Sequence, residues 1–209
     1  MEILKNFVVF EGGAGSGTST QLALLTDKFA AGGPQLPLFF PTSEPTGGQI
    51  GLLIRTALKN DPPLRPETLA RLFAADRNEH LYGPDGVAER CRRGELVVCD
   101  RYTLSSLVYQ GIECGETLPR SLNATFPAPE LLFFFDIDPK IAHNRLSRRP
   151  ELEIYERIDF QEQVRERYRS LLGEYRDAGV WVEIIDASHS VEKVAEDVWA
   201  LLSKMPMFI

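Results

Sequence analysis

The sequence is poor in the residues that mark an oxidised or metal-clustered protein. Its 209 residues contain three cysteines, Cys91, Cys99 and Cys114, and no CxxC spacing. An odd, unpaired set argues against a disulfide framework or a zinc site and fits a reducing cytoplasm. Cys99, inside LVVCD, reads as a small buried hydrophobe. No apolar run approaches the roughly 20 residues of a membrane span. The opening MEILKNFVVFEGG does not read as a signal peptide, because its short apolar stretch runs straight into glycines. Basic residues are outnumbered, 23 Lys and Arg against 30 Asp and Glu, for a formal charge of −7. That balance argues against a dedicated nucleic-acid binder. An enzyme of free nucleotides, which gathers a few cations in one cleft, stays open. Repeats, low-complexity tracts and linkers are also missing.

What is present reads as one domain over residues 1–209, with 44% apolar and 25% charged residues and enough chain to bury a core. Four short apolar runs, Phe7–Phe10, Leu96–Cys99, Leu131–Phe135 and Val180–Ile185, predict buried strands, and Leu36–Phe40 a weaker fifth. Stretches of helical spacing lie between them. Pro66-Glu67 suits the first turn of a helix running toward Leu81, and Asp138-Pro139 opens another. A long amphipathic helix is expected over Phe160–Arg176, ended by Gly179, and a last one over Ser190–Ser203. Strands alternating with helices predict a parallel sheet covered on both faces. The polar, arginine-rich segment Ser147–Ile158 reads either as a lid or as a solvated loop.

Val8-Val9-Phe10-Glu11 feeds into Gly12-Gly13-Ala14-Gly15-Ser16-Gly17-Thr18-Ser19-Thr20. Strand, glycines, then helix is the context of a phosphate-binding loop. Glycines let successive N–H groups turn inward around an anion, and the positive end of the next helix adds to that field. The pattern GxxxxGK[ST] is met at Gly12, Gly17 and Ser19, but Thr18 stands at the lysine position. Ser19 supplies the hydroxyl expected on the Mg²⁺ side. A glycine-rich turn without a ligand is the alternative.

Two further stretches carry chemistry. In Leu72-Phe73-Ala74-Ala75-Asp76-Arg77 a ring and an arginine lie four residues apart on one helix face. The ring can stack on a base and the arginine can bond base edges or phosphate. Equally, Phe73 can be core and Asp76-Arg77 a solvated pair. Asp100-Arg101 follows the strand Leu96–Cys99, at the end of a sheet where α/β folds bind ligands. Asp100 can serve Mg²⁺ and Arg101 can clamp phosphate, or the two can form a simple strand-end ion pair.

Together FEGGAGSGTSTQ, TSEPTGGQIGLLIR, LFAADRNEHL, DRYTLSSLVYQG and RLSRRPELEIYER resemble the thymidylate kinase family of P-loop nucleoside monophosphate kinases, in family order and over nearly the whole chain. The pair LFAADR plus DRYxxSSxxYQ separates this family from adenylate, guanylate and cytidylate kinases. The resemblance implies a three-layer P-loop fold on a five-stranded parallel sheet, with a lid near residues 147–158. It implies ATP as phosphoryl donor, dTMP as acceptor, Mg²⁺, and a homodimer. It assigns Phe73 to stacking on thymine, Arg77 to a thymine carbonyl and Arg101 to the dTMP phosphate. Glu44, Pro45, Ser106 and Gln110 fall on the substrate side, and Tyr109 beneath the deoxyribose. Asp100 and Ser19 fall at the metal, and Arg145, Arg148 and Arg149 near ATP. Three positions depart from the family pattern. Thr18 replaces the loop lysine, Ala14 a carboxylate facing the acceptor, and Ser43 a second phosphate-binding arginine. Kinases of another monophosphate such as dUMP, and a non-catalytic nucleotide-binding relative, are the rival functions.

Overall fold

Strand β1 (Ile3–Gly12) lies at the centre of a five-stranded parallel sheet, between β3 (Leu96–Asp100) and β4 (Ala128–Asp136). β2 (Phe39–Ser43) and β5 (Trp181–Asp186) close the two sides, giving the order β2-β3-β1-β4-β5. The computed structural model describes residues 2–59, 64–146 and 157–208. Among them, helices α1 (Thr18–Ala31), α2 (Gln49–Ala57), α3 (Pro66–Tyr82), α4 (Val87–Arg92) and α5 (Thr103–Cys114) are followed by α6 (Thr117–Asn123), α7 (Pro139–Leu146), α8 (Ile158–Asp177) and α9 (Val191–Leu202).

The apolar runs split by the two-residue period of a strand. Val8, Phe10, Val98, Leu131, Phe133 and Phe135 pack with Leu25 of α1 and Val194, Val198 and Leu202 of α9. Phe7, Val9, Val97 and Cys99 face the opposite way, against Ala74 and Leu81 of α3 and Val87 of α4. On that same face Leu132 and Phe134 meet Leu104 and Val108 of α5 and Tyr168 and Leu171 of α8. Strands buried on both faces need continuous apolar sequence, which is why these runs stood out. Each large side chain so buried contributes about 1.5–3 kcal/mol before the entropy of ordering is counted. The result is the three-layer α/β fold the resemblance implied.

The fifth strand is displaced from the expected Leu36–Phe40. Gly33–Gln35 makes a 3₁₀ turn, Leu36 closes it through its N–H to the Gly33 carbonyl, and Leu38 is 75% exposed. Pairing with β3 begins at Phe39 and ends at Ser43 opposite Asp100. Pro41 is accommodated because β2 is an edge strand. The expected helices recur with their ends moved by a residue or two. Ser190 accepts the Lys193 N–H as N-cap of α9, and Gly179 follows α8 at φ 89°. Sequence order reverses around β1, so the crevice beyond the ends of β1 and β3 is the topological switch point. No helix of the described residues is long and apolar enough to cross a membrane.

Candidate active site at the ends of β1 and β3

The glycine loop leaves β1 and turns through a Ser16 N–H bond to the Gly13 carbonyl, 3.2 Å. Gly15 and Gly17 hold φ of 77° and 93°. At Gly15 a Cβ would also sit 2.8 Å from the Ala142 carbonyl, whereas at Gly17 space is open and only the backbone demands glycine. Gly17 offers no side-chain cap to α1, and the first turn of α1 carries no acidic residue. The positive end of that helix is therefore left to face an anion. Thr18 is buried at the head of α1 and brings no charge. Gly13 through Thr20 line a cavity of about 250 Å³.

Ser19 Oγ donates to Asp100 Oδ2 at 2.5 Å, joining the loop to β3. Asp100 Oδ1 is buried and has no hydrogen-bond partner among the described residues. A hydroxyl and a carboxylate oxygen with spare capacity fit Mg²⁺, which binds few protein oxygens and keeps its water. Among the described residues no group of three or more His, Cys, Asp or Glu could form a fuller cage.

Arg101 occupies the left-handed region at φ 71°, its N–H bonded to the Phe10 carbonyl at 2.8 Å. Its Nη1 donates to the Gly12 carbonyl (2.8 Å), and it lies within 3.4 Å of Tyr109 Oη and 5.4 Å from that ring's centre. Beneath it, Glu11 is fully buried. Glu11 Oε1 accepts the Tyr102 and Ser105 N–H groups, and Oε2 accepts Ser105 Oγ (2.6 Å) and Tyr168 Oη (3.0 Å). Burial raises the Glu11 pKa, partly offset by the Ser105 hydroxyl and Arg101. Burial works against the Arg101 charge, but Tyr109, Tyr168, Asp100 and Glu11 hold its pKa above the ordinary value.

Arg77 and Asp76 are not a solvated pair; they are 1% and 2% exposed. Asp76 accepts both the N–H and the hydroxyl of Thr46, each at 2.7 Å. Arg77 donates through Nε (2.9 Å) and Nη2 (2.7 Å) to Glu44 Oε2, through Nη1 to Asn123, and through Nη2 to Ser106 at 3.2 Å. Burial opposes its charge, yet Glu44 leaves the Arg77 pKa raised. Arg77 and Arg101 are the cations among the described residues lining the cavity that the glycine loop opens into. Phe73, Glu44, Pro45, Ser106, Tyr109 and Gln110 line it with them. Ser43, by contrast, ends β2 against Asp100 and lies outside that lining.

Arg145 lies in a second cavity, about 360 Å³, which shares Gly15, Ser16, Gly17 and Thr20 with the first. It donates to the carbonyls of Ala187 (2.9 Å) and Ser188 (3.4 Å). Arg148, Arg149 and residues 147–156 of the expected lid lie outside the described residues. Three site neighbours escaped the sequence reading. They are Glu11, Asn123, and Gln161, whose Oε1 accepts the Ala14 N–H at 2.9 Å. Glu11 adjoins the loop and was the one with a local signal.

A glycine loop on a helix terminus, with an arginine-lined cleft against it at a switch point, defines a P-loop nucleoside monophosphate kinase. The family model for thymidylate kinase matches residues 10–198. The chain belongs to the thymidylate kinase family. It is 42% identical over 199 residues to the "Putative thymidylate kinase" of Treponema pallidum, covering 94% of each chain. It is 37% identical to the "Probable thymidylate kinase" of Pyrobaculum aerophilum (97% of this chain, 98% of the relative) and 33% identical to the "Thymidylate kinase" of Anoxybacillus flavithermus (95% and 97%).

Proposed function

We propose that this protein transfers the γ-phosphate of ATP to dTMP, giving dTDP and ADP, in the synthesis of dTTP. One observation carries the reading. A single cavity joins the phosphate loop Gly13–Thr20 to the ring of Phe73 and the guanidinium groups of Arg77 and Arg101. In this reading the loop amides and the α1 terminus hold the ATP phosphates, with Arg145 on the far side. Phe73 stacks on thymine and Arg77 donates to a base carbonyl. Glu44, Pro45, Ser106 and Gln110 complete the base pocket. Tyr109 lies under the deoxyribose and disfavours a 2′-hydroxyl. Arg101 grips the acceptor phosphate and sets one of its oxygens in line with the γ-phosphorus.

Phosphoryl transfer asks the protein for alignment and charge stabilisation rather than covalent chemistry. Ser19 and Asp100 would hold Mg²⁺, which when bound neutralises charge on the ATP phosphates. Arg148 and Arg149, which lie outside the described residues, are assigned in this reading to the charge on the γ-phosphate. The protein works as a homodimer of single domains, 1–209, in the cytoplasm; the free thiols of Cys91, Cys99 and Cys114 suit a reducing compartment and the family's habit supports the dimer.

ADP release coupled to a reporter tests this directly, with ATP and Mg²⁺ present and dTMP or dUMP added. Release that depends on dTMP is expected. ATP binding without dTMP-dependent release would overturn it, and faster turnover of dUMP would reassign the acceptor. Phe73→Ala should remove stacking worth ~1–3 kcal/mol and raise the dTMP KM while sparing that of ATP. Unchanged dTMP affinity in a folded Phe73→Ala would remove the stacking role.

A further inference from the structure

We infer that His80 is a positioning residue for base recognition, fixing Glu44 and, through it, the guanidinium of Arg77. The inference rests on the reading of Arg77 as the group that bonds the base. Glu44 is divided between two partners. Its Oε2 takes Nε and Nη2 of Arg77 at 2.9 and 2.7 Å, and its Oε1 lies 3.0 Å from Nδ1 of His80. An ionised carboxylate only accepts, so Nδ1 carries the proton. Nε2 of the same ring lies 2.7 Å from Thr42 Oγ1, and in the neutral ring it accepts the Thr42 hydroxyl proton. That second bond holds the ring in plane with the Nδ1–H that Glu44 requires, since a hydroxyl can donate to the remaining nitrogen.

All three charged or polar heads are shielded; the side chains of Glu44, Arg77 and His80 are 2%, 1% and 9% exposed. A buried ion pair depends on hydrogen bonds to its remaining lone pairs. Oε1 of Glu44 obtains its bond from His80. The loop carrying Glu44 is held separately, by Asp76 on Thr46 and by the Arg55 guanidinium on the Pro45 carbonyl. Loss of His80 therefore frees the Glu44 carboxylate to rotate while the loop stays in place. Arg77 then pairs with a carboxylate that is no longer fixed in angle, while its Asn123 and Ser106 bonds and its packing over Tyr102 and Phe126 stay in place. Glu44 and Arg77 line the cavity and His80 does not, so its effect on substrate passes through them.

The test compares His80→Ala, His80→Asn and His80→Gln with Arg77→Ala, measuring dTMP and ATP KM, kcat and melting temperature. One lost hydrogen bond predicts a rise of about three- to tenfold in dTMP KM for His80→Ala, with ATP KM and kcat nearly unchanged. The asparagine amide of His80→Asn reaches the place of Nδ1–H and should recover most of the loss. The longer His80→Gln matches Nε2 instead and should not. If Arg77→Ala leaves dTMP KM unmoved, the base-recognition reading itself fails. If Arg77→Ala raises it and His80→Ala does not, or raises ATP KM equally, the positioning role is overturned. Should His80→Ala fail to fold, His80→Asn and His80→Gln decide between the same outcomes, and equal dTMP KM values in those two overturn it.

Discussion

The backbone N–H of Ala14 donates to Oε1 of Gln161 at 2.9 Å, tying the phosphate loop to the first turns of α8 across 147 residues of sequence. Gln161 is 5% exposed, so this bond is shielded from water. The loop is therefore braced by a side chain that follows the expected lid directly, and that brace does not need the carboxylate the family usually has at position 14.

Gln161→Leu keeps the bulk and removes the acceptor. An N–H left unpaired costs about 1–3 kcal/mol, which for a chain of this size lowers Tm by roughly 2–4 °C per kcal/mol. We expect the Tm to fall and the ATP KM to rise more than the dTMP KM. A variant with the parent's Tm and ATP affinity would show the contact to be incidental.

Arg101 bonds the Gly12 carbonyl while its head faces the cavity, and no arginine stands at Ser43 to share the acceptor phosphate. A charge-assisted hydrogen bond is worth about 1.5–3 kcal/mol. Arg101→Ala should thus lower kcat/KM for dTMP at least about tenfold. Arg101→Lys should recover little, because a point charge cannot reproduce the planar fork. Steady-state kinetics on both variants checks this, and near-normal turnover in Arg101→Ala would remove the role.

Glu11 should leave a signature in the pH dependence of stability. Its folded pKa is raised, chiefly by burial. The group's favourable contribution is therefore complete below the unfolded pKa and is lost as pH rises through the folded pKa. Glu11→Gln cannot ionise, and its amide can donate to Ser105 Oγ or Tyr168 Oη. The stability of the parent relative to Glu11→Gln should decline as pH rises above about 4.3, the ordinary glutamate value. Urea unfolding at several pH values measures the difference, and a flat difference would mean that Glu11 does not titrate there.

These contacts mark where sequence reasoning stops. The glycine loop, Asp100-Arg101 and the Phe73 to Arg77 spacing were legible because each sits at a strand end or on one helix face. Four strands were legible because burial on both faces demands unbroken apolar runs. β2 was misplaced because its start depends on a 3₁₀ turn at Gly33 and on register with Leu96. Glu11 reads locally as one polar residue after a strand. Its burial arises only when Ser105 and Tyr168, 94 and 157 residues away, close over it. Asn123 and Gln161 show no site pattern locally, since the partners that tie them to the site, the Arg77 guanidinium and the Ala14 N–H, come from other elements.

Thr18 leaves the phosphate loop without its usual cation, and the described cations of the adjoining cavity, Arg77 and Arg101, lie on the acceptor side in our reading. Charge that builds on the γ-phosphate in the transition state must still be met. Arg148 and Arg149, outside the described residues, are the groups we assign to it. If they replace the lysine, the two sources of charge are partly redundant, and a double-mutant cycle exposes redundancy. Replacing both arginines with alanine should depress kcat severely in the parent, and much less once Thr18→Lys supplies an ammonium at the head of α1. ATP affinity should change less than kcat across the four proteins, because a contact made only in the transition state does not alter ground-state binding. Thr18 is buried, so Tm is measured alongside to separate an overpacked lysine from an unneeded one. Strict additivity in four folded proteins would mean that the lid arginines do not stand in for the missing lysine.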